Sequence, residues 1–135
     1  MNKITNSPEE TIDYAKSIAS SFKPGDIYGL RGEMASGKTT FIKGLLMGMK
    51  YKNMVNSPTF TLVNEYDAFN KVIHIDCYRE NDIERWVSLG IFEYFSLNNI
   101  VLIEWPEIIS QILPKTIKYI DFSVLEGNKR RIKIN

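Results

Sequence analysis

A glycine-rich segment over residues 32–39 constrains the fold of this chain more than any other feature. It reads GEMASGKT and matches G-x-x-x-x-G-K-[ST], the pattern of the phosphate-binding P-loop. Glycines let such a loop curl until successive backbone N–H groups point into one cavity, and the helix that follows adds the positive end of its dipole. The segment therefore predicts a phosphate site at a junction between a strand and a helix.

The sequence on either side of the loop fits this context. Ile27 to Arg31 is short and mostly apolar, which predicts a buried strand, and Lys38 to Met49 carries apolar residues at helical spacing. Lys38 would reach the β- and γ-phosphates of a nucleoside triphosphate, and the Thr39 hydroxyl would bind Mg²⁺. We assign nucleotide binding to the loop, to the start of its helix and to two later residues: Gly32, Glu33, Met34, Ala35, Ser36, Gly37, Lys38, Thr39, Thr40, Thr61 and Trp105.

The order of the predicted elements indicates an α/β protein. A capping box at Ser7-Pro8-Glu9-Glu10 opens the first helix, ahead of the P-loop strand and helix. The later elements are a strand pair in 59–65 and 72–76, a short helix in 83–91, a strand in 100–103, a helix in 106–112 and a hairpin of 117–124 with 130–134. We predict one P-loop NTPase-like domain over residues 1–135, with central parallel strands, antiparallel marginal strands and helices on both faces.

Composition excludes several classes of protein. The single cysteine, Cys77, cannot form an intramolecular disulfide, and with one histidine there is no Cys/His cluster for a structural zinc site. Lysine and arginine number 17 against 16 acidic residues, so a net charge of +1 predicts no strong binding to nucleic acid and no DNA partner. Without an apolar run of membrane-spanning length, we expect no membrane partner and a cytoplasmic location.

Two carboxylates follow apolar runs of strand type. Asp76 ends the run VIHID and Glu104 ends the run IVLIE. Ligands gather at the carboxyl ends of strands in open α/β sheets, and a P-loop enzyme needs a second carboxylate there. Because the second run is fully apolar, we expect it to neighbour the P-loop strand and Glu104 to be the metal-side carboxylate. Asp76 would then orient the attacking water or bind a water on the metal; the alternative for both is an N-cap or surface carboxylate.

Further residues keep two interpretations each. The hydroxyl-rich segment from Ser57 to Thr61 is either a switch-like loop over the γ-phosphate or the start of an edge strand. Trp105 either stacks near the nucleotide or fills the core. Arg79 either reaches a phosphate or forms a surface salt bridge.

The remaining polar residues of note favour structural roles. His74 is expected to pack within its strand rather than to act in catalysis, and Cys77 to be an inert buried thiol. Lys129, Arg130, Arg131 and Lys133 are expected to keep an exposed edge strand from pairing with other chains, the weaker alternative being a contact with a partner or RNA.

Five segments together resemble one bacterial family. In order, they read GEMASGKTTFIKGL, SPTFTLVNEY, HIDCYR, LGIFEYF and LIEWPE, and the likeness around them covers Ser7 to about Pro114. In their order and separations they are similar to the TsaE family, P-loop ATPases of tRNA threonylcarbamoyladenosine biosynthesis. The family's usual loop reads GDLGAGKT, so this chain has Ala35 where glycine is common.

The resemblance implies an ATPase that needs ATP and Mg²⁺ and acts with the TsaB and TsaD proteins, reaching tRNA indirectly through that complex. TsaD itself would transfer the threonylcarbamoyl group to the adenosine beside the anticodon. The resemblance also implies that Lys38 and Thr39 contact phosphate and Mg²⁺, that Glu104 is the Walker-B-like carboxylate and that Asp76 is a second catalytic carboxylate. Thr59 and Thr61 would belong to the switch-like segment.

Two other functions remain open at this point. A small-molecule phosphotransferase would need an arginine-bearing lid, yet Arg79 and Arg85 are the only arginines between Arg31 and Arg130. A nucleotide-dependent interaction module, in which hydrolysis is incidental, shares every motif described above.

Overall fold

The structure is a computed structural model that describes residues 1–52, 62–96 and 98–135. Its helices are α1 (Pro8–Ile18), α2 (Lys38–Gly48), α3 (Ile83–Ser88) and α4 (Ile91–Tyr94), with 3-10 helices at Ala19–Ser21 and Pro106–Ile112. Its strands are β1 (Asn2–Thr5), β2 (Ile27–Arg31), β3 (Val63–Asp67), β4 (Lys71–Asp76), β5 (Asn99–Glu104), β6 (Lys118–Val124) and β7 (Arg130–Ile134). No helix in these ranges combines the length and apolar character that crossing a bilayer demands.

The described strands form one seven-stranded sheet in the order β1-β7-β6-β2-β5-β4-β3. The central strands β6, β2, β5 and β4 are parallel, whereas β1, β7 and β3 pair antiparallel with their neighbours. This arrangement confirms the predicted α/β sheet with antiparallel margins. It also brings the carboxyl ends of the four central strands to one edge, where the P-loop begins.

Each face of the sheet carries a hydrophobic core. On one face, Ala15 of α1 and Phe41 of α2 pack with Leu30 and Leu102 of the strands. On the other face, Trp86 of α3, Ile91 of α4 and Ile109 of the last 3-10 helix pack with alternate strand residues, among them Ile103. Adjacent β5 residues thus point to opposite cores, as the pleat requires. Helices on both faces are confirmed.

The start of α1 differs from the predicted capping box in one contact. Ser7 Oγ accepts a hydrogen bond from the Glu10 N–H at 3.1 Å, as predicted for an N-cap serine. The Glu10 carboxylate, however, accepts from the backbone N–H of Asn6 at 3.1 Å, one residue before the cap. Both bonds still satisfy backbone donors at the helix start.

Strand β1 was not predicted, and it changes the interpretation of the basic residues at the end of the chain. Its four residues lack an apolar alternation, and they pair antiparallel with β7, which pairs on its other side with β6. Because β7 is an interior strand, the prediction that its charges protect an exposed edge is wrong. Arg130 has a different contact, described with the site.

Helices α1 and α2 approach closely through small residues. A Cβ built on Gly44 would lie 2.6 Å from the carbonyl oxygen of Ile12 and 2.7 Å from the Ala15 Cβ. One turn later, a Cβ on Gly48 would lie 2.6 Å from the Ala19 Cβ. This packing fixes α2, and with it the first turn that follows the P-loop.

The variant Gly44→Ala is expected to destabilise the fold despite alanine's better helix propensity. Overpacking a tight contact costs about 1–3 kcal/mol, whereas the propensity gain is about 1 kcal/mol, and a backbone carbonyl cannot move aside cheaply. Urea denaturation should show a lower free energy of unfolding. The adjacent exposed variant Lys43→Ala should stay within about 0.5 kcal/mol of the wild type. An unchanged or raised stability of Gly44→Ala would contradict the close approach.

Candidate active site

The P-loop joins the carboxyl end of β2 to the first turn of α2. Gly32 has a φ of 154° and Gly37 a φ of 107°, both in the region that favours glycine. A Cβ on Gly32 would also lie 2.8 Å from the backbone carbonyl oxygen of Phe122, so a larger residue does not fit there. Gly37 caps α2 without a side-chain oxygen, which leaves the first N–H groups of the helix available to an anion.

Lys38 lies at the bottom of this loop and is 5% exposed. Its Nζ donates a hydrogen bond to the carbonyl oxygen of Gly32 at 2.6 Å and lies 4.0 Å from the centre of the Trp105 ring. Burial lowers the pKa of Lys38, and the negative charges of Glu104 and Asp76 oppose this effect. A buried cation with few counter-charges in contact is well suited to bind a phosphate.

Asp76 and Glu104 lie side by side at the ends of neighbouring parallel strands. The register pairs Asp76 of β4 with Glu104 of β5, and it pairs Glu104 in turn with Leu30 of β2. The prediction that the second apolar run neighbours the P-loop strand is therefore confirmed. Both carboxylates lie on the same edge of the sheet as the loop.

The two carboxylates have different surroundings. Glu104 is 5% exposed, and its Oε2 lies 2.6 Å from Nε2 of the buried His74. Asp76 is half-buried and accepts a hydrogen bond from the Tyr78 N–H at 3.0 Å. Burial raises the pKa of Asp76, although the Tyr78 N–H opposes the rise. One carboxylate is thus held by a side chain, and the other is held by the backbone.

A cleft of about 440 Å³ lies over the loop. It brings together most of the predicted site residues: Met34, Ala35, Gly37, Lys38, Thr39, Thr40, Asp76, Glu104 and Trp105. Arg79 also lines it, and the choice between a phosphate contact and a surface salt bridge stays a prediction. Gly32, Glu33 and Ser36 belong to the loop but do not line the cleft. Thr61, and the rest of the Ser57 to Thr61 segment, lie outside the described residues.

The donor set of the cleft fits Mg²⁺. Mg²⁺ prefers oxygen ligands and is usually held by one or two carboxylates together with substrate phosphates rather than by a protein cage. Thr39 and Glu104 supply one hydroxyl and one carboxylate, with Asp76 beside them. In the described part of the chain, no cluster of three or more His, Cys, Asp or Glu residues could hold a metal by itself. The residues therefore suit a metal that arrives with a phosphate.

Comparison with known proteins decides the family. The family model described as "Threonylcarbamoyl adenosine biosynthesis protein TsaE" matches residues 5–132. The chain belongs to the TsaE family. It is 43% identical over 112 residues to the tRNA threonylcarbamoyladenosine biosynthesis protein TsaE of Bacillus subtilis, covering 82% of this chain and 70% of that protein. Against the TsaE protein of Aquifex aeolicus it is 39% identical over 134 residues, covering 97% and 92%.

A solved structure agrees with this assignment. The crystal structure of YdiB from Bacillus subtilis superposes with a TM-score of 0.84 at 34% identity, covering 99% of this chain and 83% of that one. The resemblance drawn from the five sequence segments is therefore confirmed, and the fold of this TsaE family member is shared by a solved structure.

Three side chains of the site have contacts that the sequence did not predict. His74 bonds Glu104 in addition to packing within its strand. The Tyr78 ring packs against the Trp105 ring, with centres 5.0 Å apart and planes tilted by 48°. Arg130 donates a hydrogen bond to the Ala35 carbonyl at 3.3 Å, and thus joins the closing hairpin to the P-loop. Cys77 is buried as predicted, and burial raises the pKa of its thiol.

Ala35 adopts the left-handed conformation that the family's usual glycine would adopt without strain. Its φ is 60°. In this region an L residue with a Cβ costs about 1–2 kcal/mol relative to a right-handed one. The bond from Arg130 to the Ala35 carbonyl helps to hold the strained residue in place. The loop therefore keeps its geometry with alanine at a cost in stability.

The variant Ala35→Gly is expected to raise the free energy of unfolding. Relief of the strain stabilises the folded chain by about 1–2 kcal/mol. The greater freedom of glycine in the unfolded chain lowers the stability by a smaller amount, roughly 0.4–1 kcal/mol. Thermal or urea unfolding without added nucleotide measures the change. Ala68→Gly is the matched control, because the φ of Ala68 is not positive, and this variant should be destabilised. Equal destabilisation of both variants would show that Ala35 is unstrained.

Proposed function

We propose that this TsaE family member binds Mg-ATP in the cleft over its P-loop and hydrolyses it in support of tRNA threonylcarbamoyladenosine synthesis. One observation carries the proposal. The buried Lys38 lines the same cleft as the carboxylates Asp76 and Glu104, which are paired across neighbouring strands. A phosphate cradle, a cation and two carboxylates are the groups that phosphoryl transfer requires.

Each group has a defined role in this proposal. Lys38 contacts the β- and γ-phosphates together with the first N–H groups of α2. Thr39 and Glu104 hold Mg²⁺, which neutralises part of the charge on the phosphates when it is bound. Asp76 orients the water that attacks the γ-phosphorus, and its raised pKa suits a group that handles a proton. The products are ADP and inorganic phosphate.

The shape of the cleft supports a nucleotide rather than phosphate alone. About 440 Å³ lies within the usual range of small-molecule sites, roughly 300–1,000 Å³. The cleft extends from the carboxylates past the loop to Asn128 and Arg130 on the closing hairpin. Pro8 and Thr11 of α1 form another part of its lining. The volume, together with lining from three parts of the chain, supports a ligand larger than phosphate alone.

We further propose that the TsaB and TsaD proteins complete the site and that tRNA is reached through them. Arg79 and the exposed Tyr78 line the cleft on the side of the carboxylates, where a partner could reach them. Phosphoryl transfer depends mainly on positioning and electrostatic stabilisation, and a group supplied by a partner is worth about 10³–10⁵ in rate in GTPases. We therefore expect slow hydrolysis by the chain alone.

Lys38→Ala is expected to abolish most of the stabilisation that Mg-ATP gives to the folded chain. A ligand bound only by the folded state adds about 2.7 kcal/mol to the free energy of unfolding at 100 times its Kd. The measurement is the melting shift on adding Mg-ATP, taken for each variant against its own unliganded form. Lys43→Ala, an exposed lysine of the same helix, should keep the full shift. An undiminished shift in Lys38→Ala would reject the P-loop as the binding site.

Asp76→Asn is expected to bind Mg-ATP nearly as well as the wild type. Its hydrolysis should be slower by a factor of at least about 10², because a positioned base contributes a rate increase of that size. Phosphate release is measured for the chain alone, and again with TsaB and TsaD. Modification of tRNA is followed in the same mixtures. Asp67→Asn, an exposed carboxylate at the end of β3, is the control.

Three outcomes separate the candidate functions. Loss of tRNA modification in Asp76→Asn supports a role for hydrolysis. Full modification without hydrolysis would make the chain a nucleotide-dependent interaction module. Fast turnover without partners, or no stimulation by them, would reject the partner-completed site and favour a self-contained phosphotransferase.

A further inference from the structure

The only histidine of the chain makes a short contact with the carboxylate assigned to Mg²⁺. His74 Nε2 lies 2.6 Å from Glu104 Oε2, and the two side chains are 0% and 6% exposed. The register pairs His74 with Leu102 and Asp76 with Glu104. Glu104 lies two residues beyond Leu102 on the same face of β5, so the imidazole contacts it diagonally across the two strands. The contact therefore depends on the alignment of β4 with β5.

The second ring nitrogen of His74 shows that packing alone does not explain a histidine at this position. Nδ1 is buried and has no hydrogen-bond partner among the described residues. The Tyr66 ring stacks on the imidazole, with centres 6.5 Å apart and planes at 28°. Burying a polar atom without a partner destabilises a fold, and an apolar residue would avoid that penalty. The polar contact that His74 does make is the one with Glu104.

The bond restricts the orientation of the Glu104 side chain. The backbone of Glu104 is already fixed, because its carbonyl accepts from the Cys77 N–H at 3.1 Å and its strand is paired on both sides. Its side chain has several rotatable bonds, and the contact with His74 holds one carboxylate oxygen. Since Glu104 also lines the cleft, the bond acts on a carboxylate that borders the ligand space.

We propose that His74 is a positioning residue, whose Nε2–H holds Glu104 in the orientation that receives the Mg²⁺ accompanying the nucleotide. This inference rests on the proposed function, since it assumes that Mg-ATP binds in the cleft. Groups that hold a metal-ligating carboxylate through a hydrogen bond commonly change metal affinity when they are removed, by about 10–100-fold. The nucleotide's own contacts with Lys38 and the P-loop do not involve His74.

Two amide variants distinguish the effect of the hydrogen bond to Glu104 from the effect of the imidazole ring itself. The side chain of His74→Gln is long enough to place an N–H near the position of Nε2, whereas that of His74→Asn is one methylene shorter and does not reach Glu104. Both leave a polar amide buried. The readout is the Mg²⁺ concentration that gives half of the nucleotide-induced melting shift, with ATP binding in EDTA measured separately. We expect His74→Asn to raise that concentration about 10-fold or more and His74→Gln to stay near the wild type.

ATP binding in EDTA should be the same in both variants. Ile75→Val, a buried substitution on the opposite face of β4, controls for loss of packing and should leave the Mg²⁺ dependence unchanged. If both amide variants fail to unfold cooperatively, His74→Phe, which buries no polar atom, replaces His74→Asn in the comparison with the wild type.

The outcomes distinguish this inference from the function on which it rests. An unchanged Mg²⁺ dependence in His74→Asn, or in His74→Phe where it is used, would overturn the positioning role. An equal loss in His74→Gln and His74→Asn would also overturn it, because the ring rather than the hydrogen bond would then be responsible. A wild-type chain that binds no Mg-ATP would reject the proposed function itself.

Discussion

The parallel pairing of β2 with β5 is the interaction on which the site depends. It places Leu30, two residues before the P-loop, opposite Glu104. The Trp105 N–H also donates to the Leu30 carbonyl at 3.4 Å, so the contact continues past the end of β5. Because β4 pairs in register on the other side of β5, Asp76 is brought to the same edge. Two ladders that share β5 thus bring together groups from three separate parts of the sequence.

The charges at this edge stabilise one another only in part. Burial lowers the pKa of Lys38 and raises that of Asp76, which means that removal from water disfavours the charged form of each. The carboxylates oppose the effect on Lys38, but its Nζ is bonded to the Gly32 carbonyl rather than to either carboxylate. Two hydrophobic cores, which include Leu30 and Ile103, hold these groups in place. A phosphate would give the ammonium an anionic partner that residues 1–52, 62–96 and 98–135 do not place in contact with it.

The parts of the structure that could be predicted are those encoded locally. The P-loop is a contiguous segment, and an apolar run that ends in a carboxylate indicates a strand end at a ligand site. The contacts that were missed join residues far apart: His74 and Glu104 are separated by 30 positions, and Ala35 and Arg130 by 95. They depend on strand register, for which no local pattern existed. Strand β1 was missed because its pairing with β7, rather than any alternation, makes it a strand. The assignment of Thr61 stays a prediction.

Backbone strain is distributed in a way that agrees with this view of the site. Among the described residues, three that are not glycine have a positive φ: Ala35, Lys50 and Trp105. Lys50 follows the C-cap of α2, where left-handed residues commonly end helices. The other two line the cleft with Lys38, Ala35 in the P-loop and Trp105 directly after Glu104. Strained residues persist only where their surroundings over-determine them, and they cluster at functional sites. Here the Arg130 bond holds Ala35, and the Tyr78 and Lys38 contacts hold Trp105, so two of the three strained residues lie in the segments next to the P-loop lysine.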